Sequence, residues 1–246
     1  MDLRYTVFGC IRQSLSVWAR NIVSILVLGI IFFSPVIYYF VDKSMEVKSG
    51  TDTVSFDFLW TVIVLTVVYA FDQLLAAPIV YGVVQELNGT HAGVAACVWQ
   101  GLKRIFSVFF TIFLLYWCVV FGTYPFIIPG IVLATGMYVA VPCAVCERPG
   151  VMGTLTRSFE LTEGSRMRIL GILILFWTAR VLAMVVADEV IAPHGDPGKS
   201  QLLLLVMLGI NFLFGTIGAV MQGVTYSRLR QIKDGVSTDD LAKIFE

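Results

Sequence analysis

The sequence predicts an all-α integral membrane protein. Its six transmembrane helices form three pseudo-repeated hairpins, each preceded by an amphipathic interfacial helix. Three observations predict this fold: the composition is too apolar for water, the apolar residues fall into six long runs, and the positive charges collect in alternate connections. Of 246 residues, 58% are hydrophobic and 14% are charged, where a soluble domain carries about 25% charge. The mean hydropathy is +0.85. So little polar surface cannot cover such a core in water, and lipid is its natural solvent.

A bilayer core about 30 Å thick takes roughly 20 apolar residues of helix to cross. The six runs are Ile22 to Val41, Phe58 to Val84, Ile105 to Gly122, Ile127 to Val145, Ile169 to Ala187 and Leu202 to Val224. None alternates with a period of two, which argues against a β-barrel. The third and fourth runs are joined by a tight turn at Pro125, Pro129 and Gly130. The first run is too long for a signal-peptide core and no small-residue cleavage site follows it, so it reads as a retained span.

Residues 42–57 and 188–200 are short polar loops, whereas 85–104 and 146–168 are longer, amphipathic and basic. Placing the longer segments and both termini on one side gathers Arg4, Arg12, Arg20, Lys103, Arg104, Arg148, Arg157, Arg166, Arg168, Arg228, Arg230, Lys233 and Lys243 there. Only Lys43, Lys48 and Lys199 fall on the other side, with Arg180 inside a span. Positive charge marks the cytoplasmic face, so both termini are expected inside, in a bacterial cytoplasmic (inner) membrane. The formal net charge is zero, and nothing points to a nucleic-acid partner.

The segments leading into the odd-numbered spans align without gaps. Val7 to Leu15, Val94 to Leu102 and Val151 to Phe159 share Val at the first position and small residues at the third, fourth and eighth. They also share an aliphatic fifth, Gln or Arg at the seventh and an apolar ninth. Acid and glycine close each unit: Glu86 with Gly89, Glu147 with Gly150, and Asp234 with Gly235. Glycine suits the left-handed residue that ends a helix. The chain therefore reads as one membrane domain with units at about 1–89, 90–150 and 151–235, and a tail at 236–246 that begins like a truncated fourth. The basic helices are expected in the headgroup plane, Arg and Lys toward anionic phosphates. Serving only as positive-inside anchors is the plainer alternative.

Pro129-Gly130-Ile131, Pro142, Glu147-x-x-Gly150 and Arg157-Ser158-x-x-Leu161-x-x-Gly164 follow in fixed order. This pattern resembles the membrane domain of the glycerophosphoryl diester phosphodiesterase family. The run Tyr226-x-x-Leu229-Arg230-x-x-Lys233-Asp234-Gly235 is similar to the ending of stand-alone bacterial members of that family. The resemblance implies the membrane domain alone, because the phosphodiesterase chemistry belongs to a separate soluble barrel for which this chain has no room.

Asp72, Arg180 and Asn211 lie at similar depth, each roughly 18 Å from the inner end of its span at about 1.5 Å per residue. Ionisable groups at mid-bilayer are costly unless paired or hydrated. Two readings are open: a polar cavity for a lipid headgroup or other amphiphile, or a structural ion pair between spans.

Cys143-Ala144-Val145-Cys146 has redox spacing but lies at the apolar end of a span, which favours packing. His91 and His194 fall on opposite faces, so no metal site and no cofactor are expected. No HExxH, GxSxG or phosphate-binding Gly-Lys loop occurs, and no enzyme is expected. Small residues at i+4 spacing (Gly136, Ala140 and Ala144; Gly215, Ala219 and Gly223) let helices approach closely, within one chain or between copies. Pro78 and Pro142 are expected to kink spans two and four. The leading expectation is a non-enzymatic scaffold or accessory subunit touching lipids, other membrane proteins or copies of itself. The alternative is a lipid or small-amphiphile binding or transport protein.

Overall fold

The computed structural model describes residues 6–30, 76–90, 93–123, 127–147, 150–191 and 197–235. Asp72, Pro125, His91, His194 and the tail from Val236 lie outside the described residues. Among those described, every regular element is an α-helix. In chain order these are α1 (Val7–Arg20), α2 (Ile22–Ile30), α3 (76–87), α4 (Val94–Lys103) and α5 (Ile105–Thr123). Then come α6 (Ile127–Gly136), α7 (Ala140–Cys146), α8 (Gly150–Thr162), α9 (Arg166–Ile191) and α10 (Pro197–Asp234).

Among the described residues, three helical stretches are long and apolar enough to cross a membrane: Ile128–Cys146, Arg166–Ile191 and Leu205–Asp234. The number rises to five if each of two bent pairs is one span. In these pairs α1 turns by 74° into α2, and α4 turns by 65° into Phe106–Leu115. Both bends fall where an amphipathic segment meets an apolar run.

The stretch expected as span four is broken in a physically legible way. Proline has no N–H to give the carbonyl four residues back, and its ring crowds that turn. Pro142 thus explains why the chain leaves α-helical form at 137–139. There the Ala140 N–H bonds to the carbonyl of Met137 at 3.0 Å instead of to that of Gly136. The freed Gly136 carbonyl accepts the Ser158 hydroxyl at 2.8 Å and the Thr162 hydroxyl at 3.2 Å, both from α8. A buried carbonyl without such partners would be costly. Span six also differs from expectation: α10 stays helical ten residues beyond Val224, because Thr225, Tyr226, Ser227 and Leu229 are buried.

The core lies at the end of the molecule where α1, α4 and α8 pack. Its largest cluster joins Cys10 and Val17 of α1 with Ala76, Ala77 and Val83 of α3, Ala144 of α7 and Val220 and Val224 of α10. A second joins Val80, Cys143, Leu161, Ile169, Tyr226 and Leu229. Large apolar side chains are exposed along the spans instead, among them Phe106 and Phe110 of α5 and Leu182 and Val186 of α9. Apolar outside with a tight, small-residue inside is the distribution expected of helices solvated by lipid.

Candidate functional site

The fourth and eighth residues of the aligned segments are buried in all three helices: Cys10 and Ser14, Cys97 and Gly101, Thr154 and Ser158. Four residues apart on a helix is one face. On α1 that face meets α10, where Cys10 Sγ and Thr225 Oγ1 lie 3.3 Å apart in a hydrogen bond. On α4 it meets α3: a Cβ on Gly101 would stand 3.2 Å from Pro78, and one on Gly82 would stand 3.2 Å from Cys97. On α8 it meets the Gly136 carbonyl.

The acidic residues that precede the closing glycines hold two of these helices, α1 and α8, by charge. Glu147, at the end of α7, accepts from Arg157 Nε at 2.8 Å and from the Tyr226 hydroxyl at 2.8 Å, each on a different carboxylate oxygen. The other side of the Arg157 guanidinium donates to Asp234 at 2.5 Å, and Arg230 Nε stands 3.7 Å from the same Asp234 oxygen. Burial opposes the charge on Arg157, but bonds to Glu147 and Asp234 outweigh it and raise its pKa above the ordinary value. Stability from that raised value is present below the ordinary guanidinium pKa and lost only above the raised one, outside the accessible range. Glu86 is placed likewise at the end of α3, paired with Arg20 at 2.6 Å and accepting from the Asn21 amide at the α1–α2 corner. The glycines that follow have left-handed backbones, φ 79° at Gly89, 77° at Gly150 and 63° at Gly235.

A second polar group sits far from this end. Arg180 of α9 donates to the Asn211 side-chain oxygen of α10, and Asn211 donates in turn to the Met207 carbonyl at 2.9 Å. The Arg180 guanidinium also lies 5.1 Å over the Trp177 ring. Arg180 Nε is buried and has no hydrogen-bond partner among the described residues.

The structure thus brings Pro142, Glu147, Gly150, Arg157 and Ser158 into one neighbourhood. Pro129 and Gly130 lie apart from it, in the first turn of α6 at the far end of the same span, Gly130 buried and Pro129 exposed. Arg180 and Asn211 are hydrogen-bonded to one another. Two contacts had no signal in the sequence: Trp18 Nε1 donating to Thr216 at 3.2 Å, and Arg228 donating to Gln13 at 2.6 and 2.9 Å. They join residues about 200 positions apart whose types are ordinary at such sites.

Together the fold and the site define a helical protein with three to five candidate membrane spans among the described residues, closed at one end by a carboxylate–guanidinium cluster. No protein family, curated protein or solved structure matches the chain.

Proposed function

We propose that the chain is a non-enzymatic, multi-pass protein of a bacterial inner membrane, a scaffold or accessory subunit that packs against lipids and other membrane proteins. In this reading it has six spans in three repeated hairpins, with both termini cytoplasmic. The membrane-domain resemblance at Pro129 to Gly164 and Tyr226 to Gly235 supports that architecture without carrying hydrolase activity. The observation that carries the proposal is how the cluster closes on itself. Both oxygens of Glu147 are taken by Arg157 and Tyr226, and Asp234 takes Nη2 of Arg157 while Nη1 faces Glu160. Such an arrangement locks helix ends together and leaves the exposed apolar faces of α5 and α9 for lipid or partner helices. Native mass spectrometry after gentle extraction tests it, with discrete copies in a larger complex as the expected result. Substrate turnover by purified protein, or movement of a solute across liposomes, sinks it.

A second reading is favoured by one observation, the unpartnered Arg180 Nε. A lipid or small amphiphile held by Asp72, Arg180 and Asn211 would use it. A small molecule retained at fixed stoichiometry, and lost in Arg180→Ala with an unchanged melting temperature, selects this reading over the first.

A further inference from the structure

The helices α1 and α4 each have three faces. Cys10, Ser14 and Val17 of α1 turn inward, as do Cys97 and Gly101 of α4. At 3.6 residues per turn, the outward strip of α1 carries Phe8 and Leu15, with Ile11 at its edge packed partly against the core. The outward strip of α4 carries Trp99 and Leu102, with Val98 at its edge packed partly against the core. Phe8 is 82% and Trp99 61% exposed, large for apolar side chains on helices otherwise packed into the core. A cation borders each strip, for Arg12 follows Phe8 by four residues and Lys103 follows Trp99 by four. Arg12 and Lys103 are both exposed, and neither has a carboxylate partner among the described residues. The Lys103 ammonium stands 5.1 Å over the Trp99 ring. Each helix ends in a steep bend toward an apolar helix, 74° and 65°, so the helix lies across the direction of the span it feeds.

We infer that these two outward faces bind the anionic phospholipids of the leaflet that surrounds them, Arg12 and Lys103 taking lipid phosphates while Phe8, Leu15, Trp99 and Leu102 enter the acyl boundary. This rests on the membrane reading above and adds the lipid class and the residues that select it. The chemistry is complementary on both counts: an apolar strip needs a non-aqueous neighbour, and a cation at its edge with no carboxylate among the described residues suits an anion at headgroup height. Tryptophan beside lysine suits that depth, since the indole prefers the membrane–water interface.

The test uses full-length protein in detergent, titrated with phosphatidylglycerol or with phosphatidylcholine, and counts bound lipids by native mass spectrometry. Wild type is expected to prefer phosphatidylglycerol. Arg12→Gln and Lys103→Gln are each expected to weaken that lipid about fivefold, the equivalent of about 1 kcal/mol per cation, and to leave phosphatidylcholine unchanged. Arg12→Lys with Lys103→Arg keeps the charge and is expected to keep the preference. Lys233→Gln removes a charge from the same end outside these faces and is expected to change nothing. Equal affinity of wild type for the two lipids, or an unaltered preference in the double Gln variant, overturns the assignment. So does a cross-linked oligomer joined through Phe8 or Trp99. Carbonate extraction separates the two levels: protein released from the membrane defeats the membrane reading itself, whereas protein that stays without lipid preference defeats only this inference.

Discussion

At position 147 a glutamate holds three helices with two oxygens. It caps α7, receives Arg157 of α8 on one oxygen and receives Tyr226 of α10 on the other. A bond to a charged group contributes about 1.5–3 kcal/mol, and a neutral one about 1 kcal/mol. Glu147→Gln is therefore expected to lower stability by about 2 kcal/mol, and Tyr226→Phe by about 1 kcal/mol, measured by thermal unfolding in detergent. The two should couple in a double-mutant cycle, because both act through one carboxylate. Arg157→Lys should be nearly as damaging as Arg157→Ala, since an ammonium cannot present the planar fork that reaches Glu147 and Asp234 together. A fully additive cycle, or a lysine that restores stability, contradicts this arrangement. The residues of the cluster were legible in the sequence as an ordered motif and as acid-before-glycine endings. Their partners were not, because a motif fixes order along the chain and leaves open which oxygen meets which nitrogen.

Among the elements, the break between α6 and α7 shows how one residue type imposes a chain of consequences. Pro142 was readable as a kink. That the kink would free the Gly136 carbonyl, and that Ser158 and Thr162 would satisfy it, needs the packing of α8 against α6. Ser158→Ala is expected to cost about 1 kcal/mol in the native background. In a Pro142→Ala background it should cost much less, because a continuous helix would return the Ala140 N–H to Gly136. Equal costs in both backgrounds would dissociate the hydroxyl from the break. Close approach is equally specific, since a Cβ on Gly136 would collide with the Phe159 ring, and one on Gly29 with the Phe212 ring. Gly136→Ala should destabilise by about 1–3 kcal/mol, with Phe159→Leu recovering much of it. The small stripe of Gly136, Ala140 and Ala144 is thereby used within the chain. The helices that feed the spans differ in how much they bury, with five residues inward on α8, three on α1 and two on α4. Hydrogen exchange in detergent should rank their protection in that order, because local opening costs less where fewer side chains leave the core. Faster exchange in α8 than in α4 would contradict it.

At the scale of the molecule, α10 bonds to residues of several other helices. Its 38 residues span roughly 57 Å at 1.5 Å per residue, more than a bilayer core needs. Asn211 meets Arg180 of α9, Thr216 meets Trp18, Thr225 meets Cys10, Tyr226 meets Glu147, and Asp234 meets Arg157. All but the first of these contacts lie toward the end where the small-residue core is packed. Composition and charge made that polarity readable, since the basic connections fall at one end. The sequence could not show that the final helix would be the common partner, because each of its polar residues looks ordinary alone. Toward the other end Arg180 lies within the apolar helix α9, and Asp72, at matching depth by residue count, lies outside the described residues. If the two form the ion pair that their depth suggests, removing either leaves a charge in hydrocarbon without its counter-ion, a loss of about 3 kcal/mol or more. Arg180→Ala and Asp72→Ala should then each lower the melting temperature, with Asn211→Leu doing so less. The exchanged pair, Asp72→Arg with Arg180→Asp, should recover most of the loss, because the Coulomb term between two charges is symmetric in their order. If both single variants melt like wild type, Arg180 is neutralised by something other than Asp72. A bound anion is then the candidate, and the lipid or amphiphile reading takes precedence over the scaffold.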